Sequence, residues 1–172
     1  MQTTWIERML VRELNTLKRE IAAVSDDKLL WATVPGVTNS IGNLVLHACG
    51  NLRHFVGAKL GATGYVRNRD AEFSSRNVTR EDLLRQLDDT VAAVKQTLDV
   101  VRDGNLIRPY PEPVAGKYHV VTGDFLIHLA VHLGYHVGQV DYLRRTLTGT
   151  GTSVGAVGLG EMATAREASA PA

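Results

Sequence analysis

The sequence predicts an all-α protein folded as a four-helix bundle. Three observations predict it. Four stretches of about 20 residues carry apolar residues at helical period, enough for helices roughly 30 Å long. Their ends carry capping residues, glycines or proline-bearing loops. The only short run that reads as a strand is KYHVV at 117–121.

The first helix is expected from Trp5 to Val24. Thr4 with Glu7 reads as a capping box, and Ile6, Met9, Leu10, Leu14, Leu17 and Ile21 form one stripe. A short turn at SDDKLLW follows before Pro35 and Gly36 break the chain. The second helix is expected from Ile41 to Leu60, capped by Asn39 or Ser40 and closed near Gly61 and Gly64. The third runs from Arg80 to Arg102, with Thr79 and Asp82 as its box and Leu83, Leu84, Leu87, Val91, Val94 and Leu98 as its core face. The fourth runs from Gly123 to Leu147, after a loop holding Pro109, Pro111 and Pro113. The connections 61–78 and 103–120 exceed the roughly two to eight residues that a bundle needs, so they have length to spare for lining a site. Residues 1–148 read as one domain. From Gly149 the chain turns rich in Gly, Ala, Ser and Thr, and 149–172 is expected to be a flexible low-complexity tail without chemistry or stability of its own.

Composition bounds the function. A chain of 172 residues with net charge +1 has no electrostatic footprint for nucleic acid or an anionic membrane surface. No apolar run reaches the ~18 residues of a membrane span, and the N-terminal stretch lacks the apolar core of a signal peptide. Cys49 is the single cysteine, which excludes an internal disulfide and fits a reducing compartment. A cytoplasmic protein acting on a small molecule is the expectation, with neither nucleic acid nor membrane as partner. On the fourth helix Phe125, Leu126, Ile127, Leu129, Ala130, Leu133, Val137, Val140 and Leu143 are too many to face one core, which predicts a homodimer.

The histidines carry the chemistry. His128, His132 and His136 follow one another at four-residue steps, so their imidazoles fall within an arc of about 80° on one helix face. His47 and His54 lie on the apolar second helix, in a polar stripe with Asn43 and Asn51. Burying several unpartnered imidazoles would cost on the order of 1–3 kcal/mol each, so the pattern asks for a metal ion. With a helical rise of about 1.5 Å per residue, His128 and His136 stand about 12 Å apart, too far to share an ion. The fourth helix therefore offers His128 with His132 or His132 with His136, and only one of His47 and His54 can join them. Asn43, Asn51, Asp124, Tyr135 and Gln139 are candidates to hold the far nitrogens of the ligand rings. In the loop after the second helix, Arg67 and Arg69 would hold an anionic substrate or cofactor, and Glu72 would act as a general base.

At these residues the chain resembles the damage-inducible DinB-like superfamily. The motif His132-Leu-Gly-Tyr-His136-Val-Gly138-Gln139 looks like its H-x-x-x-H-x-G-Q element, and GNLVLHACGNLRHFVGAKLG looks like its second-helix counterpart. The loop YVRNRDAEFSS is similar to that of one branch, and the likeness spans roughly residues 5–147. The resemblance implies an up-down-down-up four-helix bundle and a three-histidine metal site. Carried over residue by residue, the ligands are His47, His132 and His136, for zinc or nickel. It also implies a function: transfer of a low-molecular-weight thiol to an electrophile. The alternatives are a metal-dependent hydrolase and a metal-binding stress-response protein without turnover. Members commonly carry arginine after the last ligand histidine, where this chain has Val137. Members often dimerise.

Overall fold

The computed structural model describes residues 2–155 and 158–168. The chain is all-helical, with no strand among the described residues. Helix α1 covers Gln2–Ala22, and α2 starts at Ile41 and is regular to Leu52. A π-helical stretch, Arg53–Ala58, and a last turn, Lys59–Gly61, extend α2. A short helix, α3, covers Arg69–Ser74; α4 covers Arg80–Val100 and α5 covers Thr122–Thr148. SDDKLLW forms the expected turn, a 3-10 helix at Asp27–Trp31.

Local chemistry explains most of these ends. Ser40 caps α2 by accepting from the Asn43 amide, and Thr79 caps α4 by accepting from the Asp82 amide. Gly149 closes α5 in the left-handed region at φ 67°. The expected box at Thr4 and Glu7 is not the start of α1. The helix begins at Gln2, because Asp103 from the far loop accepts from the Thr3 amide at 3.0 Å and from its hydroxyl at 3.2 Å. That long-range carboxylate does the work a local cap would do. Gly61 is the last residue of α2, as expected, and Ala62 just after it takes the left-handed conformation, at φ 51°. The KYHVV run makes only isolated bridges, Val114 with Tyr118 and Pro109 with Val121.

Helix α1 packs on α4 and α5, and α2 packs on the same two helices. Leu10, Leu14, Leu17 and Ile21 of α1 meet Leu83, Leu87 and Val94 of α4 and Leu126, Leu129 and Leu133 of α5 in one core. Of the apolar residues on α5 expected to overflow that core, Phe125, Leu126, Leu129, Leu133, Val137, Val140 and Leu143 are all buried within the chain. Ile127 alone among them is exposed. Also within the core, Arg144 binds Glu20, and both side chains are fully buried. The start of the Gly-rich tail lies against this pair: Arg144 donates to the Thr152 carbonyl at 2.9 Å, and Thr16 donates to the Gly155 carbonyl at 3.2 Å. Among the described residues no helix is long and apolar enough to cross a membrane.

Candidate metal centre

Helices α2 and α5 bring three imidazoles to one point. His47 comes from the buried middle of α2, and His132 and His136 come from successive turns of α5. The ring centroids lie 5.3 Å apart for His47 and His132, 5.0 Å for His47 and His136, and 4.5 Å for His132 and His136. One ring nitrogen from each lies within 4.8 Å of the others. The Nε2 atoms of His132 and His136 are 3.1 Å apart. Bonds of about 2.0–2.1 Å from a tetrahedral zinc to two nitrogens put those nitrogens about 3.4 Å apart, so the three histidines are close enough to bind one ion.

The far side of two of the rings is held. The Nδ1 of His136 lies 2.7 Å from the Gln139 side-chain oxygen. The Nδ1 of His47 lies 2.9 Å from Glu72 Oε2. A carboxylate only accepts, so Nδ1 of His47 carries a proton and Nε2 is the nitrogen left to face the other two rings. The Gln139 oxygen does the same for His136. Arg67 grips the other edge of the carboxylate, with Nε 2.6 Å from Oε1 and Nη2 2.8 Å from Oε2. Its Nη2 also passes 3.3 Å from His47 Nδ1, but the shorter carboxylate contact decides that nitrogen's role as donor.

The surroundings disfavour the charged form of the two imidazoles on α5. Burial, and after it the neighbouring His136 and His47, pushes His132 down to about 4. Burial also lowers His136, against the opposing bond from Gln139. At Glu72 burial pushes the carboxyl up, but the bonds from Arg67 and His47 prevail and hold it below the usual range. Cys49, on α2 two residues after His47, is buried and pushed up to about 12, an unreactive thiol.

Asn43 builds the platform for Glu72. One turn before His47, it donates from Nδ2 to the Glu72 carbonyl at 3.0 Å and to the Ser75 carbonyl at 3.2 Å, which pins α3 to α2. Phe73 then covers the His47 ring at 4.9 Å. The room for the carboxylate comes from Gly50: a Cβ built there would lie 2.1 Å from Glu72 Oε1.

The residues singled out from the sequence divide as follows. His47, His132, His136, Arg67 and Glu72 meet at the centre. Arg69 does not join them; its guanidinium sits over Phe73, 5.1 Å from the ring centroid. His128 stacks on Phe125 at 6.0 Å, and His54 pairs with Glu112 at 3.4 Å, so both lie outside the triad. Gln139 is the candidate that reaches a ligand's far nitrogen. Asn43 acts on the loop, Asp124 is exposed in the first turn of α5, and the exposed Tyr135 lies beside the His136 ring. Val137 turns into the core. Glu72 as the acceptor behind His47 was not anticipated. The one available signal was Gly50, a glycine inside a buried helix one turn past a histidine, which marks a close approach by another group.

A family model described as "Protein of unknown function (DUF1572)" matches residues 3–157. The chain belongs to that family. The match takes in α1 to α5, including all three histidines, and runs past Gly149 into the Gly-rich segment. No curated protein matches the chain.

Proposed function

We propose that this DUF1572 protein is a DinB-like enzyme that uses a divalent metal ion to transfer a low-molecular-weight thiol to an electrophile. The observation that carries the reading is the convergence of three imidazoles, two of them fixed from behind by an acceptor, so that their lone pairs meet. Three neutral nitrogens leave coordination positions open, the pattern of a catalytic rather than a structural site. When bound, such an ion supplies Lewis acidity, which makes a thiol or a water nucleophilic near neutral pH. Zinc and nickel both suit imidazole donors. A bundle in which α2 and α4 run parallel accounts for the long connection at 61–78.

The chain's own residues take distinct parts in this reading. His47, His132 and His136 hold the ion. Glu72 fixes the tautomer and orientation of His47, and with both oxygens engaged it is a positioning residue before it is a base. Arg67, with Nη1 beyond its two bonds to Glu72, is the cation that would draw an anionic thiol or substrate to the centre; Arg69 is set aside for that part. Phe55, under Arg67 at 5.7 Å, and Phe73 give the surroundings an apolar character suited to an uncharged electrophile.

The test begins with metal content. Protein loaded with cobalt(II) should hold about one ion per chain and lose it on His136→Ala. Addition of low-molecular-weight thiols should then change the cobalt spectrum, and an electrophile should be consumed with its thiol. A cobalt spectrum indifferent to every thiol, with ester or amide hydrolysis instead, would move the reading to a hydrolase. Absence of any bound metal in the wild-type chain would end it.

A further inference from the structure

A cleft of about 790 Å³ opens on the outer side of α1, away from the histidines. One wall is α1 from Trp5 to Arg19, and Lys95 of α4 stands beside it. The other wall is the tail at Glu161–Thr164. The metal centre is built on α2, α3 and α5, so the two sites share no element. The volume falls in the range of small-molecule sites, roughly 300–1,000 Å³.

Helical geometry places two chemistries on the α1 wall. Trp5, Arg8, Met9, Arg12 and Arg19 fall within an arc of about 100°. Met9 belongs by spacing to the core stripe of α1, yet it is 38% exposed and lines the cleft. Trp5 and, across the cleft, Met162 are 53% and 42% exposed. These three side chains offer an apolar surface that the chain leaves uncovered. The tail wall is a built element. Its turn at Leu159–Glu161 is closed by the Gly158 amide donating to Glu161 Oε1 at 3.0 Å, and Arg19 ties it to α1 by donating to Glu161 Oε2 at 3.3 Å. The wall lies beyond residue 157, where the family match ends.

The charges select the ligand. Five cations line the cleft against two carboxylates. Three of the cations are engaged: Arg12 with Glu13, Lys18 with Asp88 and Arg19 with Glu161. Arg8 and Lys95 are exposed and have no acidic partner among the described residues. Glu161 is taken by Arg19, which leaves Glu7 as the one carboxylate against them. A neutral apolar ligand would leave both cations unused. A small inorganic anion would leave Trp5, Met9 and Met162 in water. A molecule with an acidic head on an apolar body answers both: the head takes charge-assisted hydrogen bonds, and the body covers apolar surface.

We infer that the cleft between α1 and the tail binds an organic carboxylate with an apolar body, its head held by Arg8 and Lys95 and its body on Trp5, Met9 and Met162. The body is an acyl chain or an aromatic ring system, since both present the same head and the same apolar surface. The inference does not depend on what the metal centre does.

Calorimetric titration of the full chain with decanoate, below its micellar concentration, tests it. Decanoate should bind at one per chain and change the tryptophan fluorescence, and Trp5→Phe should remove that change. Decanol has the same chain without the charge and should bind about 10-fold more weakly, because a hydrogen bond to a charged group is lost. The double variant Arg8→Gln/Lys95→Gln, altered only at exposed positions, should weaken decanoate on the order of 10-fold and leave decanol unchanged. Truncation after Gly155 removes the tail wall and should weaken both ligands. 2-Naphthoate identifies the body: tighter binding than decanoate makes it aromatic, and weaker binding makes it an acyl chain. No saturable binding of either carboxylate, equal affinity for decanol and decanoate, or wild-type affinity in the double variant or the truncated chain would each overturn the proposal.

Discussion

Replacing Gly50 by alanine should weaken metal binding without touching a ligand. Position 50 lies inside α2, where alanine is favoured over glycine by about 1 kcal/mol, so helix propensity alone predicts a more stable protein. The added methyl would stand 2.1 Å from Glu72 Oε1 and 2.8 Å from its carboxyl carbon. An end of a flexible side chain can usually step aside. This one cannot do so freely, because Arg67 holds both oxygens and His47 holds one. A shift of about 1 Å breaks the 2.9 Å contact to His47, and a hydrogen bond to a charged group contributes about 1.5–3 kcal/mol. The loss exceeds the propensity gain. At the metal, disturbing a group that orients a ligand typically costs 10–100-fold in affinity. Competition with a chromogenic chelator reads that loss, and thermal melting of the metal-free protein reads the stability. The mechanism also predicts non-additivity: once Glu72→Ala has removed the carboxylate, Gly50→Ala should cost nothing further. Wild-type affinity in Gly50→Ala, or a full second loss in the double variant, would refute the reasoning.

Other perturbations follow from the same contacts. Gln139→Ala removes the acceptor behind His136 and should lower metal affinity about 10-fold with an unchanged fold, read by the same competition. Arg144→Met strands the buried Glu20 carboxylate and should cost about 3–5 kcal/mol in urea melts, most of which a further Glu20→Leu should restore. Truncation after Gly149 removes the Thr152 carbonyl from Arg144 and the Gly155 carbonyl from Thr16, and should lower the melting temperature by roughly 2–4 °C per kcal/mol lost. Truncation after Gly155 keeps both carbonyls and should leave the melting temperature near that of the full chain.

The parts legible in the sequence were those encoded locally. Helical period found α1, α2, α4 and α5 to within a few residues at most ends, because each buries one continuous stripe such as Leu10, Leu14, Leu17 and Ile21. Axial spacing limited which histidines on α5 could share an ion, leaving two pairs open. The resemblance picked His132 with His136, the pair that meets His47. What the sequence hid was held by residues far apart along the chain. Asp103 moves the start of α1 back to Gln2, and α3 forms where only a charged loop was expected. The count of apolar residues on α5 pointed to association, but the residues that motivated it lie in the chain's own core. Of that set Ile127 alone is exposed.

Glu72 shows why such a role resists reading from one dimension. In the sequence it is an acid in a basic loop, and proton transfer is the natural guess. Its position depends on Asn43 drawing two loop carbonyls onto α2, on Arg67 turning back from five residues earlier, and on Gly50 leaving space. None of these contacts is visible as a spacing. Together they convert a solvent-facing carboxylate into a buried one whose charge is offset by Arg67 and whose lone pairs are used by His47. The centre therefore behaves as a single unit of α2, α3 and α5. Asn43, Gly50 and Arg67 lie outside the histidine triad, yet each helps to set the Glu72 carboxylate that orients His47 in a triad close enough to bind a metal ion.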